Sequence, residues 1–284
     1  MKKILPTLLA CASMTLFLSA HVCLAAPATA RGEKAVQVEQ LLKYLAYTPD
    51  GTGDKVIYMI CGGRCPRCAS LYKAIHANSQ FLEAFQVRWV LYPDVPVGYL
   101  FPLENKPGAG MKELYTDMDQ LHPKPVENPD RLKILTKYNA LLSAAAFKLF
   151  EGNISENMTP FIVFKTLDGF KYGTLEDFQG KLMEVFSHAL PLAKGVNIYD
   201  SGIVKTMDEA EKLSGYTFSA TSKDVPLRFF PDDAAPLIGV SIPKGHGGKA
   251  LAKTTNGWVG VHLFTDPNEP LAYAKLQDGQ LHRK

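Results

Sequence analysis

Lys55-Val56-Ile57-Tyr58-Met59-Ile60-Cys61-Gly62-Gly63-Arg64-Cys65-Pro66-Arg67-Cys68 is the stretch on which the reading of this chain turns. Residues 55–60 form a short apolar, β-favouring run behind the turn residues Pro49 to Gly53, and they predict a buried strand. From Ala69 onward Leu71, Ile75, Phe81, Leu82 and Phe85 follow helical spacing, with a bend expected near Asn78-Ser79. Gln86 to Tyr92 predicts a second strand, ended by Pro93. Strand, Cys65-Pro66-Arg67-Cys68, helix and strand make a βαβ unit with CxxC where its helix begins.

That position carries specific chemistry. A thiolate at a helix start feels unsatisfied N–H groups and the helix dipole, which lower its pKa below the free-cysteine value of about 8.5. A spacing of three brings the second sulfur close enough to close a disulfide. Cys65 is then the exposed attacking thiolate and Cys68 the more buried resolving thiol. Pro66 and Arg67 lie between them, and the charge of Arg67 favours the thiolate further. Cys61 reads first as a buried free thiol, with a disulfide to Cys65 or a covalent bond to a partner as alternatives. Three other readings of the cluster stand beside the redox one. C-x3-C-x2-C is the spacing of an iron–sulfur site, a zinc site would need a fourth ligand such as His76, and a structural disulfide would close only a short loop. No cofactor or metal is expected.

The βαβ unit with its CxxC resembles the thioredoxin superfamily, and within it the periplasmic disulfide isomerases of the DsbC/DsbG group. Met158-Thr159-Pro160-Phe161-Ile162-Val163-Phe164 matches the Thr-Pro that opens an apolar strand in that family, followed by the turn Leu167-Asp168-Gly169. The resemblance implies a cis proline facing the CxxC, with Thr159 and Pro160 holding the backbone of an extended substrate. It also implies that the Pro93 to Met158 insertion is helical. Leu132, Leu135, Leu141, Leu142, Ala145 and Leu149 mark an apolar face between Asp130 and Leu149. The family's isomerases carry a sizeable N-terminal dimerisation domain. Here the region between Arg31 and the first active-site strand has room for one short amphipathic helix carrying Val36, Val38, Leu41, Leu42 and Leu45.

After Leu190-Pro191 the pattern changes. Asp208 to Ser214 reads as a short polar helix stopped at Gly215, and short strands punctuated by Pro and Gly follow. Leu227-Arg228, the turn Pro231-Asp232-Asp233-Ala234-Ala235-Pro236, the strand Leu237 to Ile242, Pro243-Lys244-Gly245 and Asn256-Gly257-Trp258 resemble the bacterial Src-homology-three-like (SH3b) domains of exported proteins. Leu271 to Leu276 would supply the last strand of a small all-β barrel. In that family such domains bind peptidoglycan or peptides, or dock against neighbouring domains. Trp258 therefore reads either as a groove aromatic or as a core residue.

The 284 residues are 46% apolar and 21% charged, which excludes wholesale disorder and a polytopic membrane protein. Lys2 and Lys3 supply two of the three net positive charges, so the rest is almost neutral and no nucleic-acid partner is expected. Those lysines precede an apolar run from Ile4 to Ala20 and small residues from Leu24 to Ala30. This is the layout of a cleavable signal peptide, cut after Ala25 or Ala30, which would also remove Cys11 and Cys23. The expected organisation is a signal peptide (1–30), an N-terminal helix and linker (31–53) and an α/β thioredoxin-like domain (54–192) with a helical insertion at about 94–158. A linker with a short helix (193–214) and the barrel (215–284) complete it. The function expected is periplasmic thiol–disulfide exchange on disulfide-containing exported proteins, with a redox partner that resets the CxxC. The alternative is a non-catalytic thioredoxin-fold component of the envelope or of a secretion or conjugation system.

Overall fold

The computed structural model describes residues 28–283 except 105–108, 117, 119, 152–158, 179–181, 193–196 and 263–268. Most of the expected leader, with Cys11 and Cys23, lies outside the described residues, as does Met158. The chain is mixed α/β with two sheets, one six-stranded and mixed, the other seven-stranded and antiparallel.

In chain order the first part contains β1 (Ala28–Ala30), α1 (Gly32–Leu42), β2 (Tyr47–Asp50), β3 (Lys55–Cys61), α2 (Pro66–His76), α3 (Ser79–Ala84) and β4 (Phe85–Leu91). It continues with α4 (Ala109–Thr116), α5 (Pro129–Phe147), β5 (Phe161–Thr166), β6 (Gly169–Thr174), α6 (Leu182–Ser187) and α7 (Gly202–Asp208). The first sheet has the order β1-β6-β5-β3-β4-β2. β3 lies parallel to β4 through the α2–α3 crossover and antiparallel to β5. Val56 to Cys61 are all buried, as a strand covered on both faces requires; burying each large aliphatic side chain contributes about 1.5–3 kcal/mol.

Two local expectations meet a different outcome. Pro49 is a strand residue of β2 rather than a turn residue. It pairs with Arg88 at the sheet's outer edge, where a residue without an N–H costs no ladder bond. Ala28–Ala30, which stays in the mature chain if the leader is cut after Ala25, is an edge strand paired with β6, and Ala30 is wholly buried. Of the amphipathic set on α1, Val38, Leu41 and Leu42 are buried together with Leu45 just beyond it, whereas Val36 is exposed.

α5 begins at Pro129, as a residue lacking an N–H is suited to do, with Asp130 in the first turn. Its buried line is Leu132, Leu135, Tyr138, Leu142 and Ala146, and it includes the polar Thr136, Asn139 and Ser143. Leu141, Ala145 and Leu149, expected on the same face, are only partly buried. Asn139 is wholly buried because its amide is fully used. Its oxygen accepts from the Ala46 N–H at 2.8 Å, and its nitrogen donates to the carbonyls of Ala46 and Leu91 at 2.9 and 3.1 Å. The insertion is thereby pinned to the end of β4.

The second sheet contains β7 (Glu211–Ser219), β8 (Val225–Arg228), β9 (Leu237–Ile242), β10 (Gly247–Lys253), β11 (Trp258–Val261), β12 (Ala272–Lys275) and β13 (Gln280–Arg283), in the order β13-β7-β10-β11-β12-β8-β9. The helix expected at Asp208 to Ser214 is instead the end of α7 and the start of β7. Gly215, with φ +74°, sits in a bulge where Leu213 to Gly215 face the register shift between Ala250 and Ala252. The glycine that reads as a helix stop is a strand kink. The expected closed barrel is also corrected. Among the described residues no ladder joins β9 to β13, and β9 is mostly exposed, with Leu237 and Val240 facing solvent.

Phe229, Phe230, Trp258 and Tyr273 belong to the same core as the first sheet. Phe230 stacks on Tyr44 at 5.4 Å and packs on Tyr138 of α5 at 4.6 Å between ring centroids. The Tyr44 hydroxyl donates to Asp232 and the Tyr138 hydroxyl to the carbonyl of Leu271, both at 2.6 Å.

Candidate functional site

The site is built at the end of β3. Gly62, Gly63 and Arg64 carry the chain from the buried strand to Cys65, whose extended backbone (φ −94°, ψ 111°) makes it the residue before the helix. Pro66 then occupies the first helical position, where its missing N–H costs nothing. In place of the usual oxygen cap, the Cys65 sulfur accepts the N–H of Cys68 at 3.2 Å. The loop glycines have a steric reason. A Cβ on Gly62 would fall 2.4 Å from Asp94 Oδ2, and one on Gly63 would fall 2.7 Å from Val95.

Thr159 approaches from the strand side. Its hydroxyl donates to the Cys65 sulfur at 3.2 Å, and the Cys65 thiol lies 3.7 Å from the Thr159 carbonyl. The Thr159–Pro160 peptide is cis. Residues 94 positions apart in sequence are thus brought onto one sulfur. Cys65 is half-buried, Cys68 and Cys61 are wholly buried, and all three are free thiols.

Cys68 stands in the middle of the three. Its thiol interacts with those of both Cys65 and Cys61. Tyr115 of α4 completes the cluster, with its hydroxyl donating to the Gly62 carbonyl at 3.0 Å and also contacting Cys61. The sequence reading missed Tyr115. It lies in the insertion, and nothing in its own neighbourhood marks it as facing the cysteines.

The electrostatics reverse one expectation. Sharing a hydrogen bond with the Cys68 thiol, together with burial, pushes the Cys65 pKa up; the Thr159 hydroxyl and the Cys68 N–H pull it back only in part. Burial, then the contact with Cys61, raises Cys68 as well. Burial raises Tyr115 far above an ordinary phenol, helped by the neighbouring sulfurs. Arg67, the expected activating charge, is ion-paired with Glu176. Nearby, desolvation raises the pKa of the half-buried Asp94, opposed by the Gly63 N–H that it accepts at 3.4 Å.

Other candidates from the sequence lie elsewhere. His76, the suggested fourth zinc ligand, is at the far end of α2 and hydrogen-bonds Asp50 at 2.7 Å. Among the described residues no group of three or more His, Cys, Asp or Glu side chains is arranged to hold a metal ion. No helix among them is long and apolar enough to cross a membrane. Beside Pro66 a cavity of about 400 Å³ opens between α2 and α4, lined by Ser70, Lys73, Tyr115 and Thr116 among others.

In the second sheet Trp258 is 4% exposed and packs inward, with Lys275 over its ring. The motif residues there hold the turn that docks on α1's end. Asn256 donates to the Pro231 carbonyl at 3.0 Å, and Arg228 donates to that of Ala235 at 2.5 Å. Comparison of the sequence with protein-family models and with curated proteins found no match to either.

Proposed function

We propose that this protein is an exported thiol–disulfide oxidoreductase with a thioredoxin-like domain, acting on disulfides of other exported proteins. The observation that carries this reading is the Cys65 sulfur. It is half-exposed at the start of α2, it receives the Cys68 N–H and the Thr159 hydroxyl, and it has a sealed second thiol beneath it. Cys65 attacks one sulfur of a substrate disulfide and forms a mixed disulfide, while the other substrate sulfur leaves as a thiolate. Cys68 then attacks the Cys65 sulfur, releasing the reduced substrate and leaving a Cys65–Cys68 disulfide. A dithiol or electron-donating partner returns that disulfide to two thiols. Thr159 and Pro160 provide backbone beside the sulfur for an extended substrate, and the cavity by Pro66 gives its chain room.

The same geometry supports one direction of exchange over another. A strong oxidant needs a reduced form stabilised as thiolate. Here the pKa of Cys65 is raised, and Arg67 is engaged by Glu176. These features support a reducing or isomerising pair over a strong oxidant. The SH3-like strand set supports a docking role for the C-terminal sheet over a ligand groove, since Trp258 and Phe230 are spent on contacts within the chain. The leader-like start of the sequence supports export to the periplasm.

The test is turnover on a disulfide-bonded protein, with the potential measured in glutathione buffers. Cys65→Ser is expected to reduce turnover to background, and Cys68→Ser to accumulate mixed disulfides on Cys65. The potential is expected nearer about −270 mV than about −120 mV. Full turnover by Cys65→Ser would overturn the reading and leave a partner-binding envelope component in its place.

A further inference from the structure

The mechanism above uses two of the three thiols. Cys61 is wholly buried at the end of β3, in contact with the sulfur of Cys68 and with the Tyr115 hydroxyl. Tyr115 is itself held by the Gly62 carbonyl, which fixes the roof of this small enclosure. The sequence suggested Cys65 as the alternative partner of Cys61; the thiol that Cys61 meets is Cys68. A central sulfur with a thiol on either side is the arrangement that an internal exchange requires, because attack and departure both occur on Cys68.

Resting on the oxidoreductase reading of the same site, we infer that Cys61 is a third redox residue which takes over Cys68 in the oxidised protein. The Cys61 sulfur forms a bond to the Cys68 sulfur, and the Cys65–Cys68 bond breaks. Cys65 leaves as a thiolate and takes up the proton that Cys61 loses. No electron enters or leaves, so no external oxidant or reductant is consumed. The product has a buried Cys61–Cys68 disulfide and a free, half-exposed Cys65.

The consequence is functional. In the ordinary pair, oxidation silences the nucleophile, and Cys68 resolves every mixed disulfide it can reach. With Cys68 occupied by Cys61, Cys65 remains able to attack a substrate disulfide and has no neighbour to eject that substrate. A mixed disulfide then persists until a second substrate thiol displaces Cys65, which is disulfide shuffling rather than net reduction. The substrate class implied is therefore proteins with mispaired disulfides, handled by the oxidised enzyme.

Exposure makes the two oxidised forms distinguishable. If the disulfide is Cys65–Cys68, the remaining thiol is the sealed Cys61; if it is Cys61–Cys68, the remaining thiol is Cys65. The full chain is oxidised in glutathione buffer, labelled with iodoacetamide under native conditions, and mapped by peptide mass spectrometry, alongside C65S and C61A. Oxidised wild type is expected to take label on Cys65, oxidised C61A to take none on Cys65 or Cys68, and C65S to form a Cys61–Cys68 disulfide. If C65S stays a dithiol where C61A closes Cys65–Cys68, and wild type is labelled only at Cys61 on denaturation, the inference is overturned while the oxidoreductase reading stands. If wild type and C61A both fail to close any disulfide, that reading falls and the inference with it.

Discussion

Cys65 and Trp258 each stand in the most recognisable motif of their sheet, and the fold turns them opposite ways. The backbone around Cys65 is arranged to keep a sulfur at the surface. β3 ends at Cys61, two glycines let Asp94 and Val95 press close, and α2 starts with the sulfur as its cap. The backbone around Trp258 draws the ring inward, and the turn beside it delivers Phe230 and Asp232 to Tyr44. The first sheet exposes a reactive group at a junction between elements. The second spends Phe230, Trp258 and Tyr273 on the core it shares with the first. A motif aromatic is therefore no evidence of a binding groove until its neighbours are known.

The comparison breaks most readily at Phe230, which is fully buried between Tyr44 and Tyr138. Phe230→Ala is expected to cost about 3–5 kcal/mol in denaturant unfolding, with Cys65 alkylation in the folded protein unchanged. A loss below about 0.5 kcal/mol, within the range of ordinary surface changes, would mean that the aromatics do not join the sheets. The next test sharpens the other side. Thr159→Val removes the hydroxyl bond to the Cys65 sulfur, worth about 1 kcal/mol, so alkylation of the reduced protein should slow roughly fivefold at fixed pH. Because the Cys65 pKa is raised, the wild-type rate should keep climbing with pH past the ordinary thiol value of about 8.5, and the valine variant should shift that rise further alkaline. A wild-type plateau near neutrality would contradict the shared-proton picture. The smallest effect is expected at Arg67, already paired with Glu176. Arg67→Gln should change the Cys65 alkylation rate by less than about twofold, and a tenfold fall would restore it as the activating charge.

What the sequence made legible was what the chain keeps local. Strand, CxxC, helix and strand occupy consecutive residues, and apolar runs with a proline at the helix start leave few other ways to fold them. The misreadings share one cause, which is that a residue's role was set by a neighbour distant in sequence. Pro49 looks like a turn until Arg88 is seen beside it. Gly215 looks like a helix stop until β10 supplies the strand it bulges from. Arg67 looks like a free charge until Glu176 arrives from beyond β6. Tyr115 had no local signal, since a tyrosine on a short helix is ordinary until the helix lies over three thiols.

The helix that the insertion contributes, α5, has a practical consequence for anyone who would trim this protein. It faces the first sheet through Asn139 and the second through Tyr138, whose ring and hydroxyl are both satisfied by residues beyond position 229. A chain shortened to the cysteine-bearing part would leave Tyr44 and Tyr138 bare side by side, and Lys137 would lose Glu269. That fragment would carry a sticky apolar scar, and its solubility, more than its thiol chemistry, would limit its use.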